Sequence, residues 1–398
     1  MLREEYYLTL GESKSNIMGQ TNQRLWIVTE LFPPDETSTS YILGKIANAM
    51  VLKYRVGVIC GPEIYDKRKK LDKNNSFRLD ESIEVHRTEG ASLDKNTIRG
   101  KVLSFLLMSQ RIMALVRKYV RKGDKVLMVT NPAPMVPLMA RFKKKVGFEL
   151  NILVHDVFPE NTKPAGLKLP MYGLFKHVFD KAYAKADQLI ALGRDMHDVL
   201  RQKVESCPSI CSGTGNSPKI TIIENWADIE NIKPQPMLEG KIVLEYAGNI
   251  GRVQSLDKVM DMLPDNVELH LYGTGAMEEK LKARRQKNVF FHGPYFRSQQ
   301  NEVLAACDIA LVTLQEGMYG LGVPSKTYNI LASGRPVLFL GPKDSEIDLL
   351  VREKGIGYCE WPKNWDKAEL AEMGKKAREL AEKEYSEKVI LNKFLEQV

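Results

Sequence analysis

A lysine in the first turn of a short helix asks for a chemical reason. In G-L-G-V-P-S-K-T-Y-N-I-L-A-S-G-R-P-V-L-F-L (320–340) the pattern reads as loop, helix and strand. Pro324 suits the first helical position and Lys326 falls inside the first turn. The positive end of a helix dipole disfavours a cation there. An anion would resolve the conflict: the N–H groups after Gly322, through Val323 and Ser325, would point at it, and Lys326 would add a point charge. Asn329, three residues on, shares the helix face, where its amide could bond a neutral hydroxyl such as that of a ribose. The plainer alternative is a solvated lysine and a surface asparagine.

Three other stretches carry chemistry. Y-A-G-N-I-G-R-V-Q-S-L (246–256) reads as strand, glycine turn and helix. Gly248 and Gly251 would let backbone approach a phosphate, and Arg252 could supply a fixed positive charge. L-V-H-D-V-F-P-E (153–160) ends a strand with His155 and Asp156, groups able to move a proton or hold a sugar hydroxyl. D-E-T-S-T-S (35–40) brings Thr37, Ser38 and Thr39 to a helix start, as N-caps or as contacts to a substrate across a cleft. There is no Asp-x-Asp pair to clamp a metal on a diphosphate, no G-x-x-x-x-G-K-[ST] loop and no G-x-S-x-G elbow. The charge of a diphosphate would fall to Arg252, Lys326 and helix N-termini.

The elements that must position these residues alternate. Short apolar runs at 24–32, 54–61, 125–130, 149–156, 187–192 and 219–225 are separated by helical spacing. The pattern restarts at 242–248, 267–273, 288–293, 308–314 and 336–341. Continuous apolar runs of this length fit buried parallel strands, so the fold expected is α/β, with two doubly wound Rossmann-like domains facing across a cleft. The boundaries read as a polar leader over 1–22, an N-terminal domain over 23–215 and a C-terminal domain over 216–379. The Ser-, Gly- and Pro-rich stretch 207–219, with Cys207 and Cys211, reads as a loop without metal.

With 398 residues, two domains are expected. The net charge of +8 favours anionic partners. The basic residues lack interleaved aromatics, which argues against nucleic acid. Scattered cysteines and the absence of an apolar leader or a long apolar run point to a cytoplasmic protein. The stretch 98–123 holds seven basic residues and no acidic one. Ile98, Val102, Phe105, Ile112, Met113, Val116 and Val120 approximate one helical stripe, and R-F-K-K-K (141–145) adds a second basic cluster. Such a helix could lie on an anionic membrane surface or pack on its own sheet with a basic outer face.

Taken in order, F-P-P-D-E (32–36), N-P-A-P (131–134), H-D-V-F-P-E, E-N-W-A-D (224–228), Y-A-G-N-I-G, Y-G-T-G (272–275) and V-P-S-K-T-Y-N-I-L-A-S-G-R-P-V resemble the retaining GT-B glycosyltransferases of family 4. The likeness is to the bacterial branch that builds capsule, O-antigen and exopolysaccharide, and it runs from residue 24 onward. It implies transfer of a sugar from a nucleotide sugar, a UDP-sugar, with retention. It also implies no metal in the chemistry and no cofactor beyond that co-substrate. The acceptor side lies in the N-terminal domain, joined by the last helix, 380–398. The donor side lies in the C-terminal domain, with Gly273, Gly275, Pro294 and Tyr295 bordering the base and His155 and Asp156 near the transferred sugar. The resemblance implies a lipid-pyrophosphate-linked saccharide as acceptor, reached from the inner face of the plasma membrane. The chain departs from the pattern at four places. The acceptor loop lacks glycine. Asn249 and Gln254 stand where an arginine and a lysine are common. Asn329 replaces a ribose-binding glutamate, and Leu321 its partner acid. A nucleotide-sugar epimerase on the same plan, or a non-catalytic nucleotide-sugar-binding partner of another transferase, are the competing readings.

Overall fold

The computed structural model describes residues 22–63, 77–89, 98–207, 217–237 and 239–398, the side chains of 98–102 excepted. Most of the expected leader, Cys211 with much of its loop, and the side chains of Ile98 and Val102 lie outside these residues.

Two parallel sheets carry the chain. The first has strands β1 (Arg24–Val28), β2 (Arg55–Cys60), β3 (Glu84–Arg87), β4 (Lys125–Val129), β5 (Glu149–Leu153), β6 (Gln188–Ala191) and β7 (Lys219–Ile222), in the order β3-β2-β1-β4-β5-β6-β7. Its helices are α1 (Ser38–Met50), α2 (Ile98–Tyr119), α3 (Met135–Val146), α4 (Tyr172–Tyr183) and α5 (Arg194–Glu205). The second sheet has β8 (Ile242–Ala247), β9 (Val267–Tyr272), β10 (Val289–Gly293), β11 (Ile309–Thr313), β12 (Val337–Leu340) and β13 (Gly357–Tyr358), in the order β10-β9-β8-β11-β12-β13. With it go α6 (Leu256–Met262), α7 (Glu278–Lys282), α8 (Gln300–Ala305), α9 (Lys326–Ala332), α10 (Glu346–Lys354) and α11 (Lys367–Glu384). Helix α12 (Glu387–Gln397) closes the chain.

The apolar runs became strands because helices cover both faces, so neither face needs polar alternation. Two strands escaped that signal. β3, E-V-H-R, is a polar edge strand, and β13 has only two residues. The domain boundary drawn at 215/216 moves as well. β7 pairs in register with β6, from Gln188↔Lys219 to Ala191↔Ile222, so the first sheet continues past it. The chain crosses to the second sheet only after Ile222.

The amphipathic stripe of the second helix is spent on the core. Ile112, Met113, Val116 and Val120 are buried in the main hydrophobic cluster, and packing against its own sheet, not lipid, claims that half of the helix. Helix α12 returns to the first domain. Lys45 pairs with Glu387 at 3.0 Å, the Tyr54 hydroxyl donates to the Val398 carbonyl at 2.8 Å, and the crossing begins only at Glu387, after α11 has packed on α9. Among the described residues, no helix is long and apolar enough to cross a membrane.

Candidate functional site

The carboxyl ends of both sheets face one another, and ligands of such sheets bind there. A cavity of about 440 Å³ lies between them, within the range of small-molecule sites.

Its second-domain wall starts at β8. Gly248 follows the strand at φ +149°, and its N–H donates to the Tyr272 carbonyl at 2.8 Å. Gly273 is where the neighbouring turn comes nearest: a Cβ there would stand 1.9 Å from the Gly248 carbonyl oxygen. A Cβ at Gly275 would meet the Ile250 carbonyl at 2.2 Å. These two glycines therefore shape the 248–251 loop from behind and do not line the cavity. Asn249 and Gln254 do line it, with the Gln254 Oε1 buried and unpartnered.

Lys326 lines the cavity at the start of α9, and its Nζ is buried with no hydrogen-bond partner. The ammonium lies over the Tyr246 ring, 3.3 Å from its centroid, and the Tyr246 hydroxyl is fixed by donating to the Asn249 carbonyl at 2.7 Å. Burial lowers the lysine pKa to about 7, with the nearby Glu245 opposing. Glu245 is itself buried with both oxygens unpartnered, and desolvation pushes it up to about 8 against the pull of Lys326 and Arg335. Helix α9 has seven residues and starts at Lys326, not at Pro324. Desolvation, more than the dipole of so short a helix, is what disfavours the charged lysine in the absence of an anion.

The first-domain wall brings His155 and Asp156 to the same cavity. Thr130 Oγ1 accepts from both of their backbone N–H groups at 3.2 Å. His155 Nδ1 lies 3.4 Å from Thr39 Oγ1, and its Nε2 is buried and unpartnered. Burial holds the imidazole pKa at about 4, so near neutral pH the ring is uncharged and serves as a hydrogen-bonding group rather than an acid. The Asp156 carboxylate touches the solvent of the cleft, yet the two walls crowd it. That desolvation raises its pKa, with a hydrogen bond from Asn161 opposing. Asp156 forms an isolated bridge to Gly322, and Val157 N–H donates to the Leu321 carbonyl at 2.9 Å, so the loop before Lys326 is stitched to the opposite domain. Leu321, the position of the missing acid, is buried in that seam.

The cavity therefore brings together Ser38, Thr39, His155, Asp156, Gly248, Asn249, Tyr295, Gly322, Val323, Ser325, Lys326 and Asn329. Others fall outside. Thr37 is the N-cap of α1, accepting from Ser40 N–H at 3.3 Å. Arg252 and Pro294 are exposed and Gly251 is buried, and none of the three is in the wall.

One arginine of the second domain does reach the wall, Arg297. It lines the cavity, and its guanidinium stacks over Tyr41 of the other domain at 3.8 Å. The crossover segment contributes Asn225, Trp226 and Asp228, the Asn225 amide nitrogen buried and unpartnered. Asn329 Oδ1 accepts from Asp228 N–H at 3.0 Å, which ties α9 to that crossover. For Asn225 the signal was present: a polar residue following a strand, as at His155. For Arg297 no local signal existed, because its partner Tyr41 is far away in sequence.

Residues 246–355 match the family model described as Glycosyl transferases group 1. The chain is 29% identical to a probable glycosyltransferase, WbjE, of Pseudomonas aeruginosa, over 93% of this chain and 96% of that protein. Its fold is similar to sucrose-phosphate synthase of Thermosynechococcus elongatus, with TM-score 0.70, 12% identity and coverage of 94% and 98% of the two chains. It is also similar to HepE of Anabaena, solved in complex with UDP, with TM-score 0.60, 14% identity and the same coverage. The expected two-domain α/β architecture is the one seen.

Proposed function

We propose, for a chain that carries a glycosyl transferases group 1 domain on a GT-B scaffold, that it is the enzyme moving a sugar from a nucleotide diphosphate, UDP-linked, to a lipid-pyrophosphate-linked saccharide in bacterial surface polysaccharide synthesis. The observation that carries this reading is the buried, unpartnered Lys326 ammonium in the wall of the interdomain cavity. A cation held without a counter-ion in contact is costly unless an anion arrives, and a diphosphate is an anion of suitable size and charge. The choice of UDP is supported by HepE, which was solved with it.

In the proposed reaction the bond between the anomeric carbon and the diphosphate oxygen breaks. A bond forms from an acceptor hydroxyl to that carbon on the same face, so configuration is retained. The acceptor proton passes to the departing diphosphate oxygen. Lys326, with Arg297 nearby in the wall, offsets the charge that develops on the leaving group. No enzyme nucleophile and no metal are assigned. The neutral His155 bonds a hydroxyl of the transferred sugar, Asp156 stands beside it, and Ser38 and Thr39 face the acceptor. Asn249, Gln254 and Tyr295 border the donor. The acceptor places the enzyme at the cytoplasmic face of the plasma membrane.

The test is incubation of the purified chain with a panel of UDP-sugars and a polyprenyl-pyrophosphate saccharide, read by mass spectrometry. The expected product is the acceptor extended by one sugar, its new anomeric centre matching the donor by NMR. UDP binding with no transfer from any member of the panel would count against the reading.

A further inference from the structure

Helix α4 turns an apolar stripe outward. Met171, Leu174, Phe175 and Val178 are 69%, 56%, 39% and 41% exposed, at the i, i+3, i+4, i+7 spacing that normally seeks a core. Leu167, in the loop before the helix, is 41% exposed. Two helices away in the same layer, α2 exposes Leu103, Phe105 and Leu106 at 54%, 36% and 46%, and α3 packs against both α2 and α4. Helices that return along a parallel sheet begin at the carboxyl ends of its strands, which here is the cleft side. The α4 group lies on the first two turns of its helix, and the α2 group on the second and third turns of a 22-residue helix. The loop leading into α4 also reaches the second domain, since a Cβ at Gly317 would meet Pro164 at 3.3 Å. The apolar surface thus rims the cleft mouth. Exposed apolar side chains grouped in this way mark a binding face.

Charge identifies the occupant. Lys163 and Lys168 stand in the loop that enters α4, Lys176 follows in the helix and Lys181 in its last turn, against the acids Glu160 and Asp180. Asp180 is buried and paired with Lys203 and Lys176, each at 2.6 Å. A basic rim around apolar side chains complements an anionic bilayer, whereas in a dimer two such rims would bring like charges together.

We propose that the cleft-side turns of α4 and α2 dock on an anionic lipid bilayer, inserting Leu167, Met171, Leu174 and Phe175 and setting the cleft mouth at the headgroups. The use of that position, reaching a lipid-linked acceptor, rests on the function proposed above; the docking does not. The test is co-sedimentation of the full chain with vesicles of phosphatidylglycerol and phosphatidylcholine, and with phosphatidylcholine alone. Wild type should bind the mixed vesicles and not the neutral ones. Leu174→Glu/Phe175→Glu should lower vesicle affinity about tenfold or more, because two buried apolar groups are lost. Lys163→Glu/Lys168→Glu should do the same through charge. Both pairs are exposed, and thermal melting with UDP present checks that fold and nucleotide binding survive. Unchanged sedimentation of the Leu174/Phe175 variant, or equal binding to neutral vesicles, overturns the proposal. So does a wild-type dimer in solution that this variant dissolves while no vesicles are bound. Vesicle binding without sugar transfer would reject the function and leave the docking standing. Transfer to a water-soluble acceptor without vesicle binding would do the reverse.

Discussion

The residue on which the proposed chemistry rests is Lys326, and its surroundings make it testable. Lys326→Ala should reduce transfer by roughly 100-fold or more, the usual cost of removing a group aimed at developing transition-state charge, while the melting temperature holds or rises. A rate within a few-fold of wild type would remove the lysine from the mechanism. pH gives an independent reading. In the free protein burial places Lys326 at about 7 and Glu245 at about 8. At low pH the pair carries one positive charge, from the lysine alone. As pH rises both groups lose protons and that charge falls to zero or below. Affinity for UDP should therefore fall between about pH 7 and about pH 9, with proton uptake on binding measured by calorimetry in two buffers. Lys326→Met should remove most of the slope, and a slope that persists would assign it elsewhere. The second cation of the proposed site is Arg297, which lines the cavity where Arg252 does not. Arg297→Ala, losing both the wall charge and the stack on Tyr41, should weaken UDP about tenfold. Arg252→Ala should leave it within twofold, and equal effects would restore the sequence-based choice.

At the scale of elements, the 248–251 loop depends on what lies behind it. Gly273 adopts φ +130°, and any side chain there would collide with the Gly248 carbonyl. Gly273→Ala should destabilise the protein by about 2–4 kcal/mol through strain and overpacking, and should weaken UDP binding although residue 273 is outside the cavity wall. Denaturant melts with and without UDP separate the two effects. Undiminished UDP affinity would mean that the loop keeps its shape without the close approach. The glycine pattern Y-G-T-G was legible in the sequence, but its partner was not: a close backbone approach between β8 and β9 depends on strand pairing, which one stretch of sequence does not specify. Asn329 shows the same limit. Its place on the face of α9 was readable. Its tie to the Asp228 N–H, across about 100 positions of chain, was not.

For the whole molecule, the cavity exists only while the two sheets hold their positions. Arg194 grips Glu346 through Nε at 3.0 Å, Gly320 N–H donates to Asp195 at 3.1 Å, and Lys393 reaches Glu224 at 2.6 Å. Helix α12 buries Ile390, Leu391, Phe394 and Val398 against the first domain. At ~1.5–3 kcal/mol for each buried side chain, deleting 387–398 removes an amount comparable to the whole stability of a typical domain. The truncated chain should lose its cooperative melt and precipitate on expression. A soluble truncation melting within ~5 °C of wild type would show that the first domain stands without this strap.

The sequence alone determined the two doubly wound sheets, because apolar runs of strand length separated by helical spacing leave little choice once both faces must be covered. It also determined the loops at the carboxyl ends, where His155, Asp156, Gly248, Asn249 and Lys326 sit. Those are local properties, set by periodicity and by the residues that end a strand. Tertiary structure decided the rest. It put Arg297 rather than Arg252 in the cavity wall, set Gly273 and Gly275 behind the 248–251 loop, and moved β7 into the first sheet. It buried Ile112, Met113, Val116 and Val120 in the core and left the stripe of α4 to solvent. Each of these depends on which distant segment lies opposite, and burial, desolvation and charge pairing take their sign from that neighbour.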